Sequence, residues 1–431
     1  MTEDAAIGQA SPGAGEDVEL EHGGLVMLER LLLRTHLSAA ADIASIVADE
    51  ARAVGAASVL LYLVDHEQTT LVPVPAPDAE GHEPLSVQGT LAGRAYRTTS
   101  ILGGEAEEGQ GRRLWLPLLD GTDRLGVMEV SFHDSAPPPD PLVALCERCA
   151  HLVALVVVSK SAYSDFFELL RRRERMTGAS ELVTGITPPR VLGTRDFVLG
   201  ALLEPAYDMG GDAYDYAHNG DSLHFAVFDA MGHGLAAAGV AAFAVSMYRN
   251  SRRAKLGLTE SYAVIDEAIA EQYPGSRFVT ALITDLDLPS GRLRWVSAGH
   301  PAPLLLRDGR LVKPLDVTPS PPAGMRLATS PPVVGHHSLE PGDMVLLYTD
   351  GLTEARRPDG ELFTVERLGA FIEREAASGA AAPETLRRLR EAIIGRGEGT
   401  LRDDATALLV EWRRGSERAL LPETVEPAEA D

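Results

Sequence analysis

Apolar residues recur at helical spacing from Leu25 to about Val54: Leu28, Leu31 and Leu32, then Ile43, Ile46 and Val47. Ser58–Val64 is a run of branched and aromatic residues and predicts a strand. Two more strands are expected at Trp115–Leu119 and Leu125–Phe132, joined by the turn residues of Asp120–Asp123. The second alternates, with Val127, Glu129 and Ser131 opposite Met128, Val130 and Phe132. After the prolines of 137–141 a long helix is expected from about Leu142 to Leu170, running on through Arg171–Arg175 and ending before Pro188 and Pro189.

From about Arg195 the pattern changes to short strands with glycine-rich turns. Strands are expected at Phe197–Leu203, Leu223–Phe228, Thr280–Leu286, Leu293–Ser297, Leu304–Leu306, Met344–Tyr348 and Ala405–Trp412. Helices are expected at Leu235–Arg253, Thr259–Gln272, Thr364–Ala377 and Pro383–Ile394. Hairpin-length connections and a few helices point to a mainly antiparallel sandwich with flanking helices, so the fold class is α+β in both halves. The expected organisation is a disordered acidic tail over 1–21 and an antiparallel sheet with helices over 22–160. A helical linker over 161–194, a sandwich domain over 195–413 and a charged tail over 414–431 complete it.

The length of 431 residues accommodates two or three domains, each with its own core. With 39 basic and 63 acidic side chains the net charge is −24, which excludes nucleic acid and anionic membrane as main partners. Two cysteines make no disulfide framework, and the acidic start Met1–Asp4 lacks the basic and apolar regions of a signal peptide. The most apolar window, Leu152–Val158, is too short to span a bilayer. A cytoplasmic protein is expected.

Aspartates recur where strands end. Asp212 follows Gly210 and Gly211; Asp229 follows the apolar strand 223–228; Asp350 follows Val345–Thr349 and precedes Gly351; Asp403 and Asp404 precede the strand at 405. Any one of them is an ordinary turn residue. Strand ends on one side of a sandwich can converge, however, and clustered carboxylates repel unless protons or cations neutralise them. Oxygen-only donors select Mg²⁺ or Mn²⁺ over zinc, and two such ions can activate a water and hold phosphoryl oxygens. The chemistry expected is metal-assisted phosphoester hydrolysis.

Gly210–Asp215, Phe228–Gly234, Phe278–Leu282, Ser297–Pro301, Tyr348–Glu354 and Asp403–Thr406 occur together and in order. In these motifs the second domain resembles the SpoIIE/RsbU-type branch of the metal-dependent (PPM) serine/threonine phosphatases. The resemblance implies a β-sandwich flanked by helices that binds two Mn²⁺ or Mg²⁺ ions. Asp229 would bridge both ions and the Ala230 carbonyl would bind one. Asp350 and Asp403 would hold the other, and Asp212 would ligate the Ala230-bound ion directly or through water. It further implies a phosphorylated anti-sigma-factor antagonist (STAS) protein as substrate, in a partner-switching pathway. The sequence departs from the family at Ala230–Met231, and no counterpart of the phosphate-binding arginine of the eukaryotic branch is placed. The alternative is a phosphatase-fold binding module that sequesters its partner with little turnover.

The first domain resembles a GAF sensory domain in its element order and in Gly89–Thr98; no bilin, cyclic-nucleotide or haem signature accompanies it. Tyr163, Phe166, Phe167 and Leu170 could form a homodimer seam through the linker helix or pack within the GAF-like domain. Gly232–Ala237 partly imitates a dinucleotide fingerprint, but the strand-to-glycine spacing is wrong and the residues from Arg249 to Lys255 are basic where an acid is needed. The glycines instead serve a turn into an Ala-rich helix. His233 and His300 read as structural, with a proton-transfer role as the alternative. Cys146 and Cys149, three apart on a helix, read as ordinary helix cysteines, with a thiol redox sensor as the alternative.

Overall fold

The computed structural model describes residues 14–105, 111–205, 207–208, 210–355, 361–394, 401, 403–415, 417 and 420. The chain divides into two compact units, one up to Arg173 and the other from Glu174 to Leu420.

In the first unit, helices α1 (Ala14–His36) and α2 (Ile43–Arg52) precede strands β1 (Ser58–Val64), β2 (Thr70–Pro73) and β3 (Leu85–Ser86). Helix α3 (Leu91–Thr98) then leads to β4 (Leu102–Glu105), β5 (Arg112–Asp120), β6 (Asp123–Phe132), α4 (Asp140–Ser161) and α5 (Phe166–Arg171). The strands form an antiparallel sheet in the order β3-β2-β1-β6-β5-β4. Its parity splits the core. Val59, Leu61, Leu63, Met128 and Val130 pack with α1, α2 and α4, while Leu60, Tyr62, Trp115 and Val127 pack with α3.

Two expectations change here. Helix α1 begins at Ala14, inside the segment read as a tail, while residues 1–13 lie outside the described residues. The expected continuous helix from Leu142 to Leu170 is two helices, because the chain turns after Ser161 and restarts at Phe166. Helix α4 is, by length and composition, long enough to cross a membrane, contrary to the reading from Leu152–Val158; half of its most apolar window is buried within the unit. Phe167 is buried and packs with Leu170 and Phe166 in this core, whereas Tyr163 is exposed.

The second unit starts with α6 (Gly178–Ile186), whose Thr177 cap accepts from the Ser180 amide, then β7 (Val191–Gly193), so the expected helical linker is interrupted. Next come β8 (Phe197–Glu204), β9 (Asp212–Asn219), β10 (Ser222–Ala230), α7 (Gly234–Arg253), α8 (Leu258–Gln272), β11 (Val279–Asp287) and β12 (Arg292–Ala298). Strands β13 (Leu304–Arg307), β14 (Arg310–Pro314), β15 (Gly335–Ser338) and β16 (Met344–Tyr348) follow. Helices α9 (Asp350–Glu354), α10 (Val365–Ala377) and α11 (Ala382–Ile394) and strand β17 (Ala405–Trp412) end the unit.

Two antiparallel sheets result, β15-β12-β11-β10-β9 and β14-β13-β16-β17-β8-β7. Period-two alternation builds the layers. In β8, Phe197, Leu199 and Leu203 join Phe225 and Val227 of β10 in the core between the sheets; Val198 and Leu202 face the other way and pack with Leu386 and Leu389 of α11. The alanines Ala237, Ala238, Ala241 and Ala244 bring α7 close to the first sheet.

Candidate active site

The row that buries Phe225 and Val227 between the sheets continues to Asp229 at the end of β10. Register sets Asp229 directly opposite Asp212 of β9 on one side and Thr280 of β11 on the other. From the second sheet, Thr349 and Thr406 both donate to Asp212 Oδ2 at 2.7 Å. The Thr406 amide donates to Thr349 Oγ1 at 2.9 Å. Asp350 starts the short helix α9, and Asp403 and Asp404 lead into β17. The mouth of the sandwich therefore gathers Asp212, Asp229, Asp350, Asp403 and Asp404.

Their charges conflict. Burial, then Asp350, Asp403 and Asp404, push the Asp229 carboxyl up to about 7. Burial, then Asp229 and Asp404, push Asp212 well above the usual carboxylate range, and burial with Asp403 raises Asp350. Among the described residues none of the five has a Lys or Arg partner. Asp404, which sequence reasoning left without a role, faces inward and accepts from the Gly210 amide (2.7 Å) and the Asp212 amide (3.1 Å), fixing the turn into β9. Burial raises its carboxyl as well.

The Ala230 amide donates to the Gly211 carbonyl, and a Cβ at Gly211 would stand 2.2 Å from the Ala230 carbonyl oxygen. Only glycine leaves that oxygen open. Gly232 and Gly234 both adopt positive φ, which turns the chain out of the mouth and into α7. His300 is buried; its Nε2 lies 3.0 Å from the Tyr348 carbonyl and its Nδ1 2.9 Å from Thr280 Oγ1. A carbonyl only accepts, so Nε2 carries the proton and neutral Nδ1 accepts from Thr280. Burial lowers His300 to about 4, consistent with a neutral ring that ties Thr280, the neighbour of Asp229, to the end of β16. His233 precedes α7 as its N-terminal flank and makes no side-chain cap. Arg277 was also missed: its guanidinium donates to the Met231 carbonyl at 3.2 Å, beside the loop that follows Asp229.

No three His, Cys, Asp or Glu side chains converge on one ion position among the described residues. The donor set nevertheless fits hard divalent cations: carboxylates without cationic partners, which raise one another's pKa, and a carbonyl kept open by Gly211. Cys146 and Cys149 are buried in the first unit, and burial pushes both thiols up to about 12, which disfavours the redox-sensor reading.

Residues 219–413 match the family described as Stage II sporulation protein E (SpoIIE). The match lies within the second unit, whose sequence is similar to the SpoIIE/RsbU type. The chain is 25% identical over 271 residues to the phosphoserine phosphatase RsbU of Bacillus subtilis (strain 168), covering 60% of this chain and 77% of that protein. It is 24% identical over 243 residues to Protein IcfG of Synechocystis sp. (strain ATCC 27184 / PCC 6803 / Kazusa), covering half of this chain but only 38% of that protein's length. Among solved structures, the RsbU and RsbW domains of Rv1364c from Mycobacterium tuberculosis align with 28% identity and a TM-score of 0.44, over 53% of this chain and 63% of that one. The SiaA-PP2C domain of Pseudomonas aeruginosa aligns with 21% identity and a TM-score of 0.43, over 50% and 85%.

Proposed function

We infer that the protein is a cytoplasmic, metal-dependent phosphoprotein phosphatase. It removes phosphate from phosphoserine or phosphothreonine on an anti-sigma-factor antagonist of the STAS type, under control of the GAF-like unit. The observation that carries this reading is the gathering, at one end of a SpoIIE-type sandwich, of five aspartates with no cationic partner among the described residues. Asp229 would bridge two Mn²⁺ or Mg²⁺ ions, with the Ala230 carbonyl and Asp212 on one and Asp350 and Asp403 on the other. When bound, the ions supply Lewis acidity, lowering the pKa of a water and neutralising phosphoryl oxygens. Thr349 and Thr406 hold the Asp212 carboxylate in one orientation, and Asp404 fixes the backbone that presents it. His300, through Thr280, positions the strand end that carries Asp229.

The test is release of phosphate from a phosphorylated STAS protein by the full chain. Hydrolysis should require Mn²⁺ or Mg²⁺, stop with EDTA and be lost in Asp229→Asn. Tight binding of the phosphoprotein without hydrolysis in saturating Mn²⁺ would establish the sequestering module instead.

A further inference from the structure

The opposite end of the same sheet carries the reverse charge pattern. His224 of β10 stands opposite Asp285 of β11, which stands opposite Arg294 of β12. Above this ladder pass the end of α7 and the connection into α8, and between them lies a cleft of about 740 Å³. That volume is in the range of small-molecule sites. Asp229 lies five residue steps along β10 from His224, roughly 17 Å of strand, so the cleft is separate from the aspartate site.

Its lining carries four cations, Arg252, Arg253, Lys255 and Arg294, against one carboxylate, Asp285. In a chain of net charge −24 this is a local inversion. Two of the cations are held in place: Arg252 by buried Asp215 at 2.7 Å, and Arg294 by Asp285. Arg253 and Lys255 have no ion pair among the described residues and supply the surplus charge. Tyr248 is buried and lines the cleft, and its hydroxyl proton has no acceptor among the described residues, with the Arg252 guanidinium lying over its ring. Burial keeps that hydroxyl protonated and therefore a donor. Gly257, at the N-terminal cap position of α8, also lines the cleft and offers no capping side chain, although the Glu260 carboxylate lies beside it as a local counterweight.

Guanidinium forks, an ammonium, a free hydroxyl donor and the start of a helix together match phosphate oxygens better than a single carboxylate. We propose that this cleft binds a small phosphorylated anion, with Arg252, Arg253, Lys255, Arg294 and the Tyr248 hydroxyl as its contacts. The site does not depend on the phosphatase reading, because no residue is shared with it.

Pyrophosphate is the probe. Calorimetric titration of the full chain is done with EDTA present, so that no ion at the aspartates can recruit the probe. Saturable binding is expected in wild type and in Asp229→Asn alike. It should weaken at least tenfold in Arg253→Glu/Lys255→Glu, whose positions are exposed and whose melting temperature without probe should match wild type. Tyr248→Phe, which removes only the hydroxyl, should weaken it several-fold. Absence of binding, equal affinity in the Arg253/Lys255 variant, or loss of binding in Asp229→Asn would overturn the proposal.

Discussion

Buried acids occur in two settings within the second unit, and the contrast separates architecture from chemistry. Asp215 is held by Arg249 and Arg252, Glu204 by Arg390, Asp343 by Nε and one terminal nitrogen of Arg307, and Glu411 by Arg414. These four are almost fully buried, and each is balanced by a guanidinium from its own chain. The aspartates at the mouth receive hydroxyl and amide donors instead, and their nearest charges are one another. A unit that neutralises these four structural acids in the same way leaves the mouth group for a cation from outside.

That contrast can be broken most sharply at Asp229. Asp229→Ala should lower turnover of a phosphoserine protein by at least roughly a hundredfold, as loss of an electrostatic stabiliser does, while urea unfolding shows the fold retained; wild-type turnover in saturating Mn²⁺ would dissolve the distinction. Asp215→Ala should do the opposite. It strands two arginines, one of them largely buried, and should cost about 3 kcal/mol in the urea midpoint analysis. In EDTA, Asp229→Asn should cost no stability, because it removes one of several repelling charges.

Addition of Mn²⁺ at about a hundred times its dissociation constant should stabilise wild type by about 2.7 kcal/mol and leave Asp229→Asn unmoved; equal melting shifts would place the ion elsewhere. His300 sharpens the picture through pH. Its folded value, lowered to about 4 from 6.5, means that its stabilising neutral state is fully present above pH 6.5 and is lost as pH falls towards 4. Between pH 7 and pH 5 wild type should lose about 2 kcal/mol more than His300→Gln, as compared by denaturant titration. The smallest effect concerns the first unit. Cys146 and Cys149 should resist a thiol reagent in the native protein and react promptly in denaturant.

Much of the second unit was legible because its strands are apolar runs that end in Asp and Gly: β16 and β17 were expected with the boundaries found, and β10 within two residues at its C-terminal end. Strand β9 was not anticipated. It lies at the edge of its sheet, and Asp-Ala-Tyr-Asp-Tyr-Ala-His-Asn lacks the branched apolar run of a central strand. Asp212, Asp229, Asp350 and Asp403 were visible from local pattern as aspartates at strand ends, and the family motifs supplied their ligand roles. Thr280, Thr349, Thr406 and Asp404 were not visible as site residues. Their roles exist only through pairing across strands or across sheets, between positions up to 194 residues apart in sequence. The break between α4 and α5 was hidden for another reason: the apolar residues around it fit one helix as well as two.

The pair of threonine bonds to Asp212 has a mechanical consequence. Asp212 belongs to one sheet, while Thr349 follows β16 and Thr406 lies in β17 of the other, so the three side chains form a gauge across the sandwich. Sliding the sheets by the rise of one strand residue, roughly 3.3 Å, would stretch both bonds beyond hydrogen-bonding distance. The orientation of Asp212 is thereby slaved to sheet alignment, and any force on the flanking helices that shears the layers would be felt at the mouth as a misaimed carboxylate.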